Sequence, residues 1–167
     1  TCQPTAGRMS LRKGPSGVAL IDDSYNANPG SMGLGLATLQ ALAAPASGRA
    51  IAVIGDMKEL GTVSAREHAK LGELVVRLGI DVLVGAGPEM AHATSAAARL
   101  SGGRLAPHPT RVVHVMQPLD AVSIVKSLWR EHDVVLVKAS RSADLQRVAE
   151  RLLGAQTDAV TGVGVGA

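Results

Sequence analysis

The sequence predicts an α/β domain, a Rossmann-like, doubly wound, mostly parallel sheet of about six strands flanked by helices. Three observations lead there. Short aliphatic runs alternate with amphipathic segments along the chain. The runs are nearly continuous in Val, Ile, Leu and Ala, as strands covered on both faces must be. Apolar residues make up 46% of the 167, yet only Tyr25 and Trp129 are aromatic. That composition suits helices packed closely on an aliphatic sheet better than an aromatic-rich sandwich.

In chain order, residues 1–6 read as a linker stub, and a chain that starts at Thr1 instead of Met reads as a piece of a longer protein. Residues 9–12 form an extended piece, suited to an edge or antiparallel strand. The aliphatic runs follow at 18–22, 50–55, 82–85, 112–115 and 134–137, the fourth being less continuous than the others. Ser64 and Glu67 have the spacing of a capping box, and Leu71, Leu74, Val75 and Leu78 continue at helical spacing. Leu119, Val122, Val125, Leu128 and Trp129 form a second stripe opened by Pro118. Leu145, Val148, Ala149 and Leu152 form a third. The domain is expected over residues 7–153. The stretch 154–167, rich in Gly, Ala and Thr without periodicity, reads as a disordered tail. Short right-handed crossovers then place ligand-binding loops beyond the carboxyl ends of the strands.

Composition narrows the function. The net charge of +3 comes from scattered basic residues without interleaved aromatics, which argues against a nucleic-acid partner. Cys2 is the only cysteine, so there is no internal disulfide framework or cysteine metal site, and the five histidines lack H-x-H or H-E-x-x-H spacing. No run is apolar enough to span a membrane and no signal peptide is evident, so a cytoplasmic setting is expected. There is no G-x-x-x-x-G-K-[ST] to cradle a triphosphate and no G-x-S-x-G elbow.

Three loops after buried runs carry the polar chemistry. In the first, Asp22 to Met32, an Asp at a strand end can accept from both ribose hydroxyls, each charge-assisted bond worth roughly 1.5–3 kcal/mol when shielded. Asn26 and Asn28 add amide donors and acceptors. Equally, Asn28 before Pro29 suits a helix N-cap, and Asp22 could satisfy loop amides. In the second, Gly55 to Gly61, the charges of Asp56, Lys58 and Glu59 crowd one rim and suit a zwitterion, or else pair with each other and water. In the third, Lys138 and Arg141 offer cationic donors beside Ser140, at a helix start that favours a carboxylate or phosphate. There, Ser140 or Ser142 could instead act as a cap. His68, four residues after Ser64, reads as a packing or capping residue.

Together these pieces resemble the D-alanyl-D-alanine-adding branch of the Mur ligase family. They are Gly7-Arg8-Met9, the string Asp22-Asp23-Ser24-Tyr25-Asn26-Ala27-Asn28-Pro29 with Ser31-Met32, Gly55 to Gly61 with His68, and Val137-Lys138-Ala139-Ser140-Arg141. Order and spacing agree over about residues 7 to 153. The related folylpolyglutamate synthases look instead like Asp-Gly-Ala-His-Asn-Pro at the first string. Two departures stand out: Ala139 where the family usually has glycine, a methyl group tolerable only if the backbone avoids positive φ, and Asp144-Leu145 where Met-Glu is usual. The resemblance implies a three-domain enzyme that uses ATP and Mg2+, bound mainly by a central domain outside this chain, and UDP-MurNAc-tripeptide held by an N-terminal domain. It implies Arg8, Asp23, Asn26 and Asn28 near ATP, and Lys58, Ser140 and Arg141 on D-Ala-D-Ala. Asp22, Tyr25, Asp56, Glu59 and Lys138 would support them. It names no general base in this chain, and predicts an inactive fragment. A stand-alone nucleotide-binding regulatory module of the same fold and a folate-type glutamate-adding ligase domain are the competing readings.

Overall fold

The computed structural model describes residues 7–154. The expected linker stub 1–6 and all but the first residue of the expected tail lie outside the described residues. Six strands, β1 (Ser10–Lys13), β2 (Ala19–Asp23), β3 (Ala50–Gly55), β4 (Val82–Ala86), β5 (Arg111–Val115) and β6 (Val134–Lys138), form one sheet in the order β1-β2-β6-β3-β4-β5. Only β1 runs antiparallel, against β2; every other pairing is parallel. The aliphatic runs are these strands to within a residue or two at each end. β3, β4 and β6 are buried at every position, which is why they read as continuous rather than alternating.

Among the described residues, five α-helices cover the sheet: α1 (Pro29–Ala43), α2 (Ser64–Arg77), α3 (Met90–Leu100), α4 (Asp120–Leu128) and α5 (Leu145–Leu153). Alternate residues of β3 face opposite layers, as the pleat requires. Ala52 and Ile54 pack with Met32, Leu36 and Leu39 of α1, Val75 of α2 and Met90 of α3. Ile51 and Val53 pack with Val125 of α4 and Val148 and Leu152 of α5. α2 and α3 approach so closely that a Cβ on Gly72 would lie 2.0 Å from the Ala93 carbonyl oxygen, so only glycine fits that crossing.

Three local expectations are corrected. Ser64 does not build a capping box: its hydroxyl donates to Glu89 Oε2 at 2.6 Å, and Glu67 pairs with Lys70 at 3.0 Å instead of reaching back. A tertiary partner took the serine that a local cap would have used. Trp129 falls outside α4 as its extended C-cap, still packed on the core. Leu119, counted in the same stripe, is the N-cap of α4 and not part of the helix, while Pro118 sits just before it, near the first turn as expected. Helices α1 and α3 gave no legible stripe, α1 because it is apolar almost all round and interrupted by Gly30, Gly33 and Gly35, α3 because it is rich in alanine.

Away from the loops, Asp133 fastens β6 to the start of β3. It accepts from the backbone N–H groups of Arg49 at 2.9 Å and Arg130 at 2.8 Å, and from Arg49 Nη2 at 2.7 Å. Burial by itself raises this carboxyl's pKa, but the Arg49 guanidinium, the two N–H groups and the Arg49 charge together outweigh it and hold the group below the ordinary carboxylate value. A depressed folded pKa stabilises the fold above the unfolded pKa of about 3.9, and that stabilisation disappears as pH falls through the folded value. Asp133→Asn is therefore expected to cost about 2 kcal/mol at pH 7, and less at pH 3, measured by urea unfolding at both. A cost that grows on acidification would contradict this.

Candidate functional site at the carboxyl edge of the sheet

The parallel register puts the three polar loops side by side. Asp23 at the end of β2 stands opposite Lys138 at the end of β6, and Lys138 stands opposite Ile54 near the end of β3. β6 is inserted between strands that are consecutive in sequence, so the loops leave the sheet at the point where strand order reverses. This is the crevice position for ligands in open α/β sheets.

In the first loop the two neighbouring aspartates divide their work. Asp22 is buried and accepts from the hydroxyl of Ser24 at 2.6 Å and its N–H at 3.2 Å, so it satisfies the loop itself. Asp23 Oδ1 accepts from Met9 N at 3.1 Å and Oδ2 from Lys138 Nζ at 2.5 Å. A carboxylate has about four acceptor positions, so both oxygens keep capacity for a ligand. Asn26 accepts from Ala27 N at 2.8 Å. Asn28 is the N-cap of α1, with its Oδ1 on Ser31 N at 2.9 Å and the Ser31 hydroxyl on its own N–H at 3.0 Å. The capping reading of Asn28 is therefore correct, and any ligand contact would be additional. The Tyr25 ring lies under two guanidinium groups, Arg8 at 4.2 Å and Arg141 at 5.6 Å from its centroid.

The second and third loops are bonded together. Lys58 N donates to Ser140 Oγ at 2.9 Å, and Ser140 N donates to the Asp56 carbonyl at 3.2 Å. The buried Asp56 carboxylate accepts from Met90 N at 3.0 Å and Lys58 Nζ at 3.1 Å. Two of the three loop charges thus pair with each other, while Glu59 is exposed with φ +62°. His68 is fully buried and accepts from Met57 N at 3.0 Å through Nε2, so Nδ1 carries the proton that goes to the Ser64 carbonyl at 2.8 Å. It holds the loop from a fully buried position. Ser140 makes no side-chain cap. Ala139 is buried and absent from the positive-φ residues, which is why a methyl group is accommodated there.

Lys138 departs from its expected part as a free cation. It is 1% exposed, with Nζ on Asp23 and on the Asn26 carbonyl at 3.0 Å, so it organises the first loop from below. Sequence reasoning missed what makes this possible. Gly35 of α1 leaves room for the lysine stem, since a Cβ there would sit 3.1 Å from Lys138 Cδ. A glycine inside an apolar helix was the available signal.

Two adjoining cavities open along the rim. One, of about 340 Å³, is lined by Arg8, Asp23, Tyr25 and Lys138 with Leu34 and Ser31 of α1. The other, of about 530 Å³, is lined by Lys58, Glu59, Ser140, Arg141 and Ser142. Asn26 and Asn28 line both and so form the shared wall. One cavity therefore pairs a carboxylate with a guanidinium and an aromatic face; the other gathers an ammonium, a guanidinium and hydroxyls. The first suits a polyol bearing phosphates, the second a small carboxylate.

A family model described as "Mur ligase, glutamate ligase domain" matches residues 7–141. The UDP-N-acetylmuramoyl-tripeptide–D-alanyl-D-alanine ligase of Mycobacterium tuberculosis is 40% identical over 160 residues, which are 90% of this chain and 31% of that protein. A crystal structure of MurF from Acinetobacter baumannii superposes with a TM-score of 0.75 at 28% identity, covering 91% of this chain and 31% of that one. MurF ligase from Thermotoga maritima in complex with ADP gives 0.73 at 26% identity, covering 93% and 32%. This chain spans about a third of the length of the curated relatives that it matches.

Proposed function

The chain belongs to the Mur ligase family, and we propose that it is the C-terminal domain, over residues 7–153, of a cytoplasmic ATP-dependent ligase that adds D-alanyl-D-alanine to UDP-MurNAc-tripeptide. The observation that carries this reading is the pair of adjoining cavities of different chemistry at the strand ends.

Arg8 and Asp23 serve ATP, the guanidinium on phosphates or ribose and the carboxylate on the ribose hydroxyls. Asn26 and Asn28 flank the nucleotide from the shared wall. Lys58, Ser140 and Arg141 orient D-Ala-D-Ala, the last two through its carboxylate. Asp56 holds Lys58, and Lys138 holds Asp23. ATP phosphorylates the terminal carboxylate of the tripeptide with loss of ADP. The dipeptide amine then attacks the acyl carbon, phosphate leaves, and the nitrogen loses a proton. Among the described residues no group of three or more His, Cys, Asp or Glu side chains gathers as a metal site; on this reading Mg2+ is held by the central domain. The contribution of this domain is positional: closing over the other two brings amine and acyl phosphate to attack distance, and such positioning can lower a barrier by about 7–11 kcal/mol.

The isolated chain is expected to release no ADP from ATP in the presence of tripeptide and D-Ala-D-Ala. The full-length protein is expected to give ADP, phosphate and the pentapeptide in equal amounts, measured by coupled assay and mass spectrometry. Tight ATP binding by the isolated chain would favour a stand-alone nucleotide module, and glutamate incorporation by the full-length protein a folate-type ligase. Either result would overturn the proposal.

A further inference from the structure

We propose that Tyr25 is a positioning residue shared by both halves of the cleft, its ring face setting the reach of Arg8 toward the nucleotide and of Arg141 toward the dipeptide carboxylate. The inference rests on the ligase reading above and deepens it. Tyr25 is the chain's one tyrosine, and the only other Phe, Trp or Tyr is Trp129, packed on the core. An aromatic spent on a 39% exposed position of so aliphatic a protein contributes little to the core. What it touches is polar. Arg8 arrives from the segment before β1, Arg141 from the turn after β6, and the two guanidinium carbons lie 4.2 and 5.6 Å from the same ring centroid. Both distances are within cation–π range.

The two arginines belong to different cavities, Arg8 to the smaller and Arg141 to the larger. Long side chains lose rotamer freedom when they grip an anion, and a ring that already restrains them lowers that loss. The ring itself is anchored at its backbone, where Tyr25 N donates to the Gly7 carbonyl at 2.9 Å. A flat, π-faced side chain does this for two cations at once. An aliphatic one cannot, and the hydroxyl has no part in it.

The test uses the full-length enzyme. Tyr25→Leu is expected to raise both the KM for ATP and the KM for D-Ala-D-Ala by about two- to fivefold, the range for partly exposed cation–π contacts. The melting temperature should fall by no more than a few degrees, and the KM for tripeptide should be unchanged. Tyr25→Phe, which keeps the ring, should return both KM values to those of the wild type. If Tyr25→Leu moves one KM or neither in an active enzyme, the shared role is wrong while the ligase reading stands. If Tyr25→Phe is as impaired as Tyr25→Leu, the hydroxyl and not the ring face is responsible, and the proposal fails. A wild-type enzyme that forms no pentapeptide overturns the ligase reading, and this inference with it.

Discussion

Lys138→Met is expected to destabilise the chain by about 3 kcal/mol, the lower end of the range for removing one partner of a buried ion pair. The lysine side chain is 2% exposed and the Asp23 side chain 13%. Methionine replaces the stem and fits beside Gly35, so no cavity or overpacking cost is added. What is lost is the ammonium. Asp23 keeps only the Met9 N–H among its present donors, and the Asn26 carbonyl loses Nζ. The partial exposure of Asp23 lets water relieve some of the penalty. Urea unfolding should report the loss, and Asp23→Asn combined with Lys138→Met should recover part of it, because the orphaned charge is then gone. A loss below about 1 kcal/mol, the usual value of an exposed pair, would show that the pair is screened by solvent.

Ser140→Ala combined with Arg141→Ala is expected to raise the KM for D-Ala-D-Ala on the order of a hundredfold in the full-length enzyme. Two hydrogen bonds to a carboxylate, each worth roughly 1.5–3 kcal/mol, would be removed together. Ser140 has a second effect, because its Oγ accepts from Lys58 N at 2.9 Å and weakly contacts the Ala27 carbonyl at 3.4 Å. Its removal loosens the second loop and with it the ammonium of Lys58. The double variant should therefore lose more than Arg141→Ala alone, by initial rates at saturating ATP and tripeptide. A change within threefold would place the carboxylate elsewhere.

The sheet was legible because strands buried on both faces leave unbroken aliphatic runs, and the loops because such runs end abruptly in polar clusters. Their gathering into one rim follows from parallel pairing, which the run pattern also implies. The division of labour between Asp22 and Asp23 was not legible. Both stand at the end of one strand, and only the pleat decides that one turns to Ser24 and the other to Lys138. Nor was the burial of Lys138, since a lysine at a strand end ordinarily reads as a surface cation. The capping box at Ser64 failed for the converse reason: its pattern is local, while Glu89, 25 residues away, is the partner that won. Asn28 succeeded because both halves of its motif are local: Ser31, three residues on, returns the capping bond.

The most direct measurement is a crossed determination of two Michaelis constants in the full-length enzyme. Asp23→Ala should raise the KM for ATP by at least tenfold and leave that for D-Ala-D-Ala within about twofold, as loss of one or two charge-assisted bonds on one side of the wall requires. Ser140→Ala with Arg141→Ala should do the reverse. If both variants weaken the same substrate, or neither constant moves, the rim is not divided into a nucleotide half and a dipeptide half.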